Sequence, residues 1–227
     1  MLVALIRAFN DLFAPALRRI VGLSLGLTVA SLVALWILVA VALDHSALFG
    51  FRPLQWAVDL LGTLAVIVLS WLLFPAVATL VTGFFLDRIA AAVESRDYPG
   101  RGPPRPVAMA ETMKATLRLM GLSILGNLLV LPFYLLAPGI NFFVFLGLNG
   151  YLFGREYFEV VALRRLDPTE TGAVRSRFAL RVFLGGVVIA GLFAVPLVNL
   201  VAPVIATAFM VHLFEGLRRA LPQTAAS

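Results

Sequence analysis

Apolar residues run through this chain in long blocks separated by short basic stretches, and block length separates bilayer-crossing helices from shorter ones. Met1 to Phe13 sets Leu2, Leu5, Ile6, Phe9, Leu12 and Phe13 at helical spacing, with Arg7, Asn10 and Asp11 on the other side. That pattern predicts an amphipathic helix lying in the membrane interface over residues 1–14. Pro15 stops it, and Arg18-Arg19 precede an apolar run from Ile20 to Leu43. As a helix this run extends about 36 Å, enough to cross a hydrocarbon core of roughly 30 Å with tilt. A return crossing is expected over residues 56–86, from Trp56 to Leu86, with a kink at Pro75. Residues 87–118 are polar; their Pro- and Gly-rich part at 99–106 reads as a loop, and helix resumes near Met109.

The second half is broken differently. Leu119 to Phe153 is apolar throughout, yet Pro132, Pro138, Gly139 and Asn141 fall in its middle and divide it into Leu119 to Leu136 and Asn141 to Phe153. The latter piece makes about 20 Å of helix, short of the hydrocarbon thickness. After the polar stretch 155–181 the pattern returns as Val182 to Val195, Pro196, Asn199, Pro203 and a closing helix to Leu217. Pro138 to Asn141 and Pro196 to Asn199 share Pro-x-x-Asn, and an Asn just past a proline break can cap the next helix where lipid supplies no partner. The expected fold is therefore all-α and membrane-embedded, one domain over 1–227. It has an interfacial helix, crossing helices at 20–43 and 56–86, and re-entrant, half-depth helical hairpins at 119–154 and 182–217. Six complete spans with tight turns satisfy the same charge pattern.

Composition agrees with lipid as the solvent: 61% of residues are hydrophobic and 13% charged, with a mean hydropathy of +1.00. The net charge of +6 comes from arginines grouped at the ends of apolar runs, which indicates positive-inside anchoring rather than nucleic-acid binding. The loop from Asp44 to Gln55 holds a single basic residue, Arg52, and so marks the non-cytoplasmic side. Segments 87–118 and 155–181 and both termini are expected on the cytoplasmic side of the membrane. With no cysteine there is no disulfide frame and no thiolate chemistry. Arg7 interrupts the first apolar stretch, which argues against a cleaved signal.

Several local patterns, in order, resemble the CysZ-type sulfate permease family and its wider etoposide-induced-protein relatives. Pro15-Ala16-Leu17-Arg18-Arg19-Ile20 resembles that family's Pro-Gly-x-Arg-Arg opening to the first crossing, and Phe74-Pro75 with Phe84-Phe85-Leu86-Asp87-Arg88 is similar to its segment after the second. Ala137-Pro138-Gly139-Ile140 resembles its Pro-Gly-Ile-Gly turn, and Tyr157-Phe158-Glu159 its Tyr-x-Asp. Pro196-Leu197-Val198-Asn199-Leu200 followed by Ala202-Pro203-Val204 is similar to its last hairpin. The resemblance implies an oligomeric permease or channel-like transporter that moves sulfate, or a related oxyanion, into the cell for sulfur assimilation. It also implies anion binding at Arg18 and Arg19. The chain departs from the family in the third apolar segment, where only Glu111, Lys114, Arg118 and Asn127 supply polar groups.

Two readings of Arg18 and Arg19 stand side by side: an anion-docking pair at a helix start, or arginines snorkelling at the membrane boundary. Arg155 and Glu159 are four apart and can pair on one helical face; with Glu156 and Tyr157 they form either a gate at the foot of a pore or a structural ion pair. Asn127, Asn141, Asn149 and Asn199 are polar groups at membrane depth, either satisfying backbone or lining a wet path. His212 is within helical reach of Glu215 and reads as an interfacial histidine. His45 and His212 lack metal-ligand spacing, no phosphate-cradling loop is present, and Gly147, Gly150 and Gly185-Gly186 read as helix-contact residues. Serines 24, 31, 70 and 123 sit singly in apolar helices, where bonding to their own backbone explains them. No enzyme chemistry, cofactor or metal is expected. The expected partners are membrane lipid, a sulfate-like oxyanion and further copies of the chain. The competing functional reading is a non-transporting scaffold or lipid-handling protein that occupies one leaflet.

Overall fold

A computed structural model of the chain describes residues 1–45, 60–64, 67–68, 70, 74, 77–78, 80–136 and 138–220. The loop expected between Asp44 and Gln55 lies outside the described residues beyond His45, as do Trp56 and the expected kink at Pro75. The described residues are helical apart from short connections. In chain order they form α1 (Leu2–Asp11), α2 (Pro15–His45), α3 (Leu86–Asp97), α4 (Met109–Leu136), a 3-10 turn (Pro138–Ile140), α5 (Asn141–Ala162), α6 (Pro168–Arg177), α7 (Ala179–Ala194), α8 (Pro196–Asn199) and α9 (Ala202–Arg219). Two compact units result, one of residues 1–18 with 86–227 and one of residues 19–85.

The smaller unit holds most of α2. Its hydroxyls are absorbed locally: Ser24 donates to the Val21 carbonyl, Thr28 to Ser24 and Ser31 to Leu27. Ser70 departs from that pattern, because its hydroxyl accepts the Trp36 indole N–H at 2.6 Å and so links two segments of the unit.

In the larger unit α9 is the central element. Every residue from Ala202 to Glu215 is buried, and α1, α3, α5 and α7 contact it. A helix with no exposed face is the expected centre of a bundle. α1 meets α9 through Ala4, Ala8 and Asp11, all buried, whereas Leu2, Ile6, Phe9 and Phe13 point outward. The small side chains allow the close approach and the large ones are left for lipid. This corrects the sequence reading of Asp11, which is 3% exposed rather than on a solvated face.

α5 and α7 cross at glycines. A Cβ on Gly186 would lie 1.8 Å from the Gly150 carbonyl oxygen, and one on Gly154 would lie 2.5 Å from that of Val182, so the backbones touch. The helix-contact expectation holds for Gly150, Gly185 and Gly186, while a Cβ on Gly147 would meet nothing.

The proline breaks fall where the pattern placed them: α4 ends at Leu136, α5 begins at Asn141 and α7 ends at Ala194. α4 runs from Met109 to Leu136 as the pattern indicates, continuing through Pro132 for 28 residues, about 42 Å. α5 is longer than expected at 22 residues, about 33 Å, because it does not stop at Phe153 but carries on through its charged turn. By length and composition α2 over Pro15–Leu38 and α4 over Met109–Tyr134 are long and apolar enough to cross a membrane. α6 and α7 together could supply another, though they are bent by 89°.

Asn141 and Asn199 do not cap helices. Ile140 holds the N-cap position of α5 and Val201 that of α9, neither with a side-chain bond. The Asn141 side-chain amide instead donates back to the Tyr134 carbonyl at 3.3 Å, tying the end of α4 to the start of α5. The side-chain oxygens of Asn141 and Asn199 are buried without a hydrogen-bond partner.

Candidate functional site

α2 starts with Pro15, which needs no N–H partner, and its first turn carries no acidic residue. Arg18 and Arg19 follow immediately, both exposed, and neither has a carboxylate partner among the described residues. Arginines at a helix start oppose the dipole, so two unpaired guanidiniums there make a strongly electropositive spot.

A second polar centre lies where α1, α3 and α9 meet. His212 is buried; its Nε2 is 2.7 Å from Asp11 Oδ2 and its Nδ1 is 2.8 Å from the Tyr98 hydroxyl. The ring thus bridges the Asp11 carboxylate and the Tyr98 hydroxyl, one nitrogen to each. Arg96 donates to the other Asp11 oxygen at 3.2 Å. One turn further along α9, Glu215 is buried and bound by Arg101, so the expected His212–Glu215 contact is replaced by separate partners for each. Burial pushes the Tyr98 phenol above its ordinary value; Arg7 opposes that shift and Glu215 adds to it. One donor atom each from Asp11, Asp97 and His212 falls within 4.8 Å of the others, a set of one nitrogen and two oxygens that could hold a divalent metal. Arg96 already supplies positive charge to Asp11 there.

The charged turn of α5 forms a third centre. Arg155 Nε is 3.0 Å from Glu159 Oε1, as the i,i+4 spacing predicts, though outside hydrogen-bonding geometry. Arg175, from α6, donates to the same Glu159 oxygen at 2.6 Å. Glu156 forms no ion pair among the described residues, and Tyr157 is buried on the same helix. A further ion network holds the ends of α3 and α5 together, with Arg164 and Arg165 both on buried Glu94.

The remaining predicted positions are not brought together. Asn127 is exposed on α4 and donates to the Ser123 carbonyl of its own helix at 2.8 Å. Asn149 does the same to Phe145 at 2.9 Å. The residues that sequence reasoning missed are Asp11, Tyr98 and Arg175. Their one trace is indirect: His212 and Glu215 sit in an apolar helix, where buried polar groups require partners, but nothing in the linear chain names them.

Together the long apolar helices, the central buried helix and the basic helix start define a helical membrane protein. The family profile described as sulfate transporter CysZ/Etoposide-induced protein 2.4 matches residues 4–203, and the chain belongs to that family. The family is of transporter type rather than enzymatic. Comparison with characterised proteins and with solved structures gave no match.

Proposed function

We propose that the chain is an inner-membrane permease, or channel-like transporter, for sulfate or a related oxyanion, with its termini on the cytoplasmic side. The observation that carries this reading is the pair Arg18 and Arg19, exposed and without a carboxylate partner at the start of a span-length helix in a chain of the CysZ/etoposide-induced family. Two guanidiniums offer bidentate donors to a tetrahedral dianion, and first-turn amides add to them. Segments 119–154 and 182–217 turn back at their Pro-x-x-Asn corners, and further copies of the chain complete the path. α4 touches α5 on one side, yet no residue of its Met109–Tyr134 stretch is buried, which supports that assembly, since a second copy has an apolar face to cover.

In proteoliposomes, R18A/R19A is expected to cut sulfate uptake by about tenfold or more, the loss of one to two charge-assisted contacts. Unchanged uptake would exclude this capture site. The corners are tested by labelling single cysteines, for which the cysteine-free chain is a clean background. Leu197→Cys lies on an exposed corner position and is expected to resist reagent from the far face.

The scaffold reading is favoured by one observation. Asn127, Asn149 and Arg155 each turn to a partner in or near their own helix instead of converging. Absence of any sulfate flux from well-folded protein in liposomes would make that reading the better one.

A further inference from the structure

Arg7 of α1 and Arg181 of α7, 174 positions apart in the sequence, line one open cavity of about 480 Å³ with His212, Leu213 and Leu217 of α9. Both guanidiniums are exposed, and neither has a carboxylate partner among the described residues. The nearest acidic groups on α1 and α9 are already used: Asp11 is held by Arg96 and His212, and Glu215 by Arg101. Asp97 of α3, 3.7 Å from His212, is paired with Arg96, and Arg7 is bonded only to the neutral Tyr98 hydroxyl, so the cavity keeps two positive charges with no carboxylate of their own. Arg181 also stands in the first turn of α7, which has no acidic residue and no side-chain cap, so the positive end of that helix adds to the field.

Apart from His212, the other side chains that line the cavity are apolar. Val3 lies one turn before Arg7 on α1, and Leu213 and Leu217 are one turn apart on α9, giving a greasy wall beside the two cations. Beyond the cavity α1 turns Leu2, Ile6 and Phe9 outward, at 71%, 52% and 38% exposure. A free inorganic anion would satisfy the charges and leave that wall without use. An anion that carries its own hydrocarbon satisfies both halves.

We propose that this cavity is a binding site for the phosphate of an anionic phospholipid, with Arg7 and Arg181 on the phosphate oxygens and the acyl chains along Val3 and the outward face of α1. The site is separate from Arg18 and Arg19 and stands whether or not the chain carries sulfate. It gives α1 a second attachment to the membrane, through a lipid clamped between α1 and α7.

The full-length protein in mild detergent, titrated with phosphatidylglycerol and followed by native mass spectrometry, tests this directly. R7Q/R181Q is expected to weaken retention of the first lipid by at least tenfold, and R118Q/R177Q, which removes the same charge at exposed positions outside the cavity, to leave it unchanged. Phosphatidylcholine is expected to bind at least tenfold more weakly, and excess inorganic phosphate or sulfate not to displace the lipid. Equal retention by wild type and R7Q/R181Q, equal binding of phosphatidylcholine, or displacement by the inorganic ions at concentrations comparable to the lipid would each overturn the proposal. Melting of R7Q/R181Q at the wild-type temperature in lipid-free detergent establishes that a loss belongs to the site and not to the fold.

Discussion

His212 Nε2 and Asp11 Oδ2 lie 2.7 Å apart, joining residues 201 positions distant and fixing α1 onto the central helix. Since both groups are buried, removing one strands the other. His212→Ala is expected to lower stability by about 3 kcal/mol, the usual cost of orphaning a buried charged partner. In a double-mutant cycle with Asp11→Asn, the two losses should fall short of additive by 1 kcal/mol or more. Additive losses, measured by reversible denaturation in mixed micelles, would mean the contact contributes nothing.

The Gly150–Gly186 crossing makes a paired prediction. Gly186→Ala places a methyl against backbone that cannot yield, so it is expected to cost upwards of about 3 kcal/mol or to prevent folding. Gly191→Ala, five residues along the same helix where a Cβ would meet nothing, is expected to be neutral or to stabilise by up to about 1 kcal/mol. Similar melting temperatures for the two variants would show that α5 and α7 do not touch there.

Glu159 neutralises both Arg155 and Arg175. Glu159→Gln leaves two guanidiniums facing one another with a neutral acceptor between them, and a loss of about 2–3 kcal/mol is expected. If the turn gates anion passage, the same substitution changes uptake as well as stability. Uptake at the wild-type rate from a destabilised variant would mark the triad as structural.

Tyr98 supplies the pH dependence. Its phenol titrates above the unfolded value near 10 because burial disfavours the phenolate. Above that value the unfolded state releases its proton first, so the fold binds more protons and stability falls as pH rises. The contribution is fully present below about pH 10 and is lost as pH climbs through the folded pKa. Melting temperatures from pH 8 to 11 are expected to decline more steeply for wild type than for Tyr98→Phe. Parallel curves would remove Tyr98 as the cause.

Linear pattern carried the helix plan because helix starts and stops are local events. Pro15, Pro138 and Pro196 each interrupt a run at their own position; α2, α5 and α8 begin at or close beside those residues, and α4 ends two residues before Pro138. The Arg155–Glu159 pair was readable for the same reason, since i,i+4 spacing alone puts two side chains together. Arg18 and Arg19 were readable as the start of a basic-flanked run. The length of α5 was not, because the apolar run ends at Phe153 while the helix persists; Arg175, sixteen residues beyond Glu159, offsets the charges that follow.

Composition and periodicity thus determined that the chain is helical, belongs in lipid and divides where its prolines stand, because backbone preference and transfer from water act residue by residue. Tertiary structure decided which polar groups meet. Asp11 could be assigned to a buried triad only once α1, α3 and α9 were assembled, and Arg7 and Arg181 acquired a shared cavity only when α7 came to lie beside α9. A buried hydrogen bond or an unmatched charge depends on what surrounds it in space, and a neighbour contributed from two hundred residues away leaves no periodic mark along the chain.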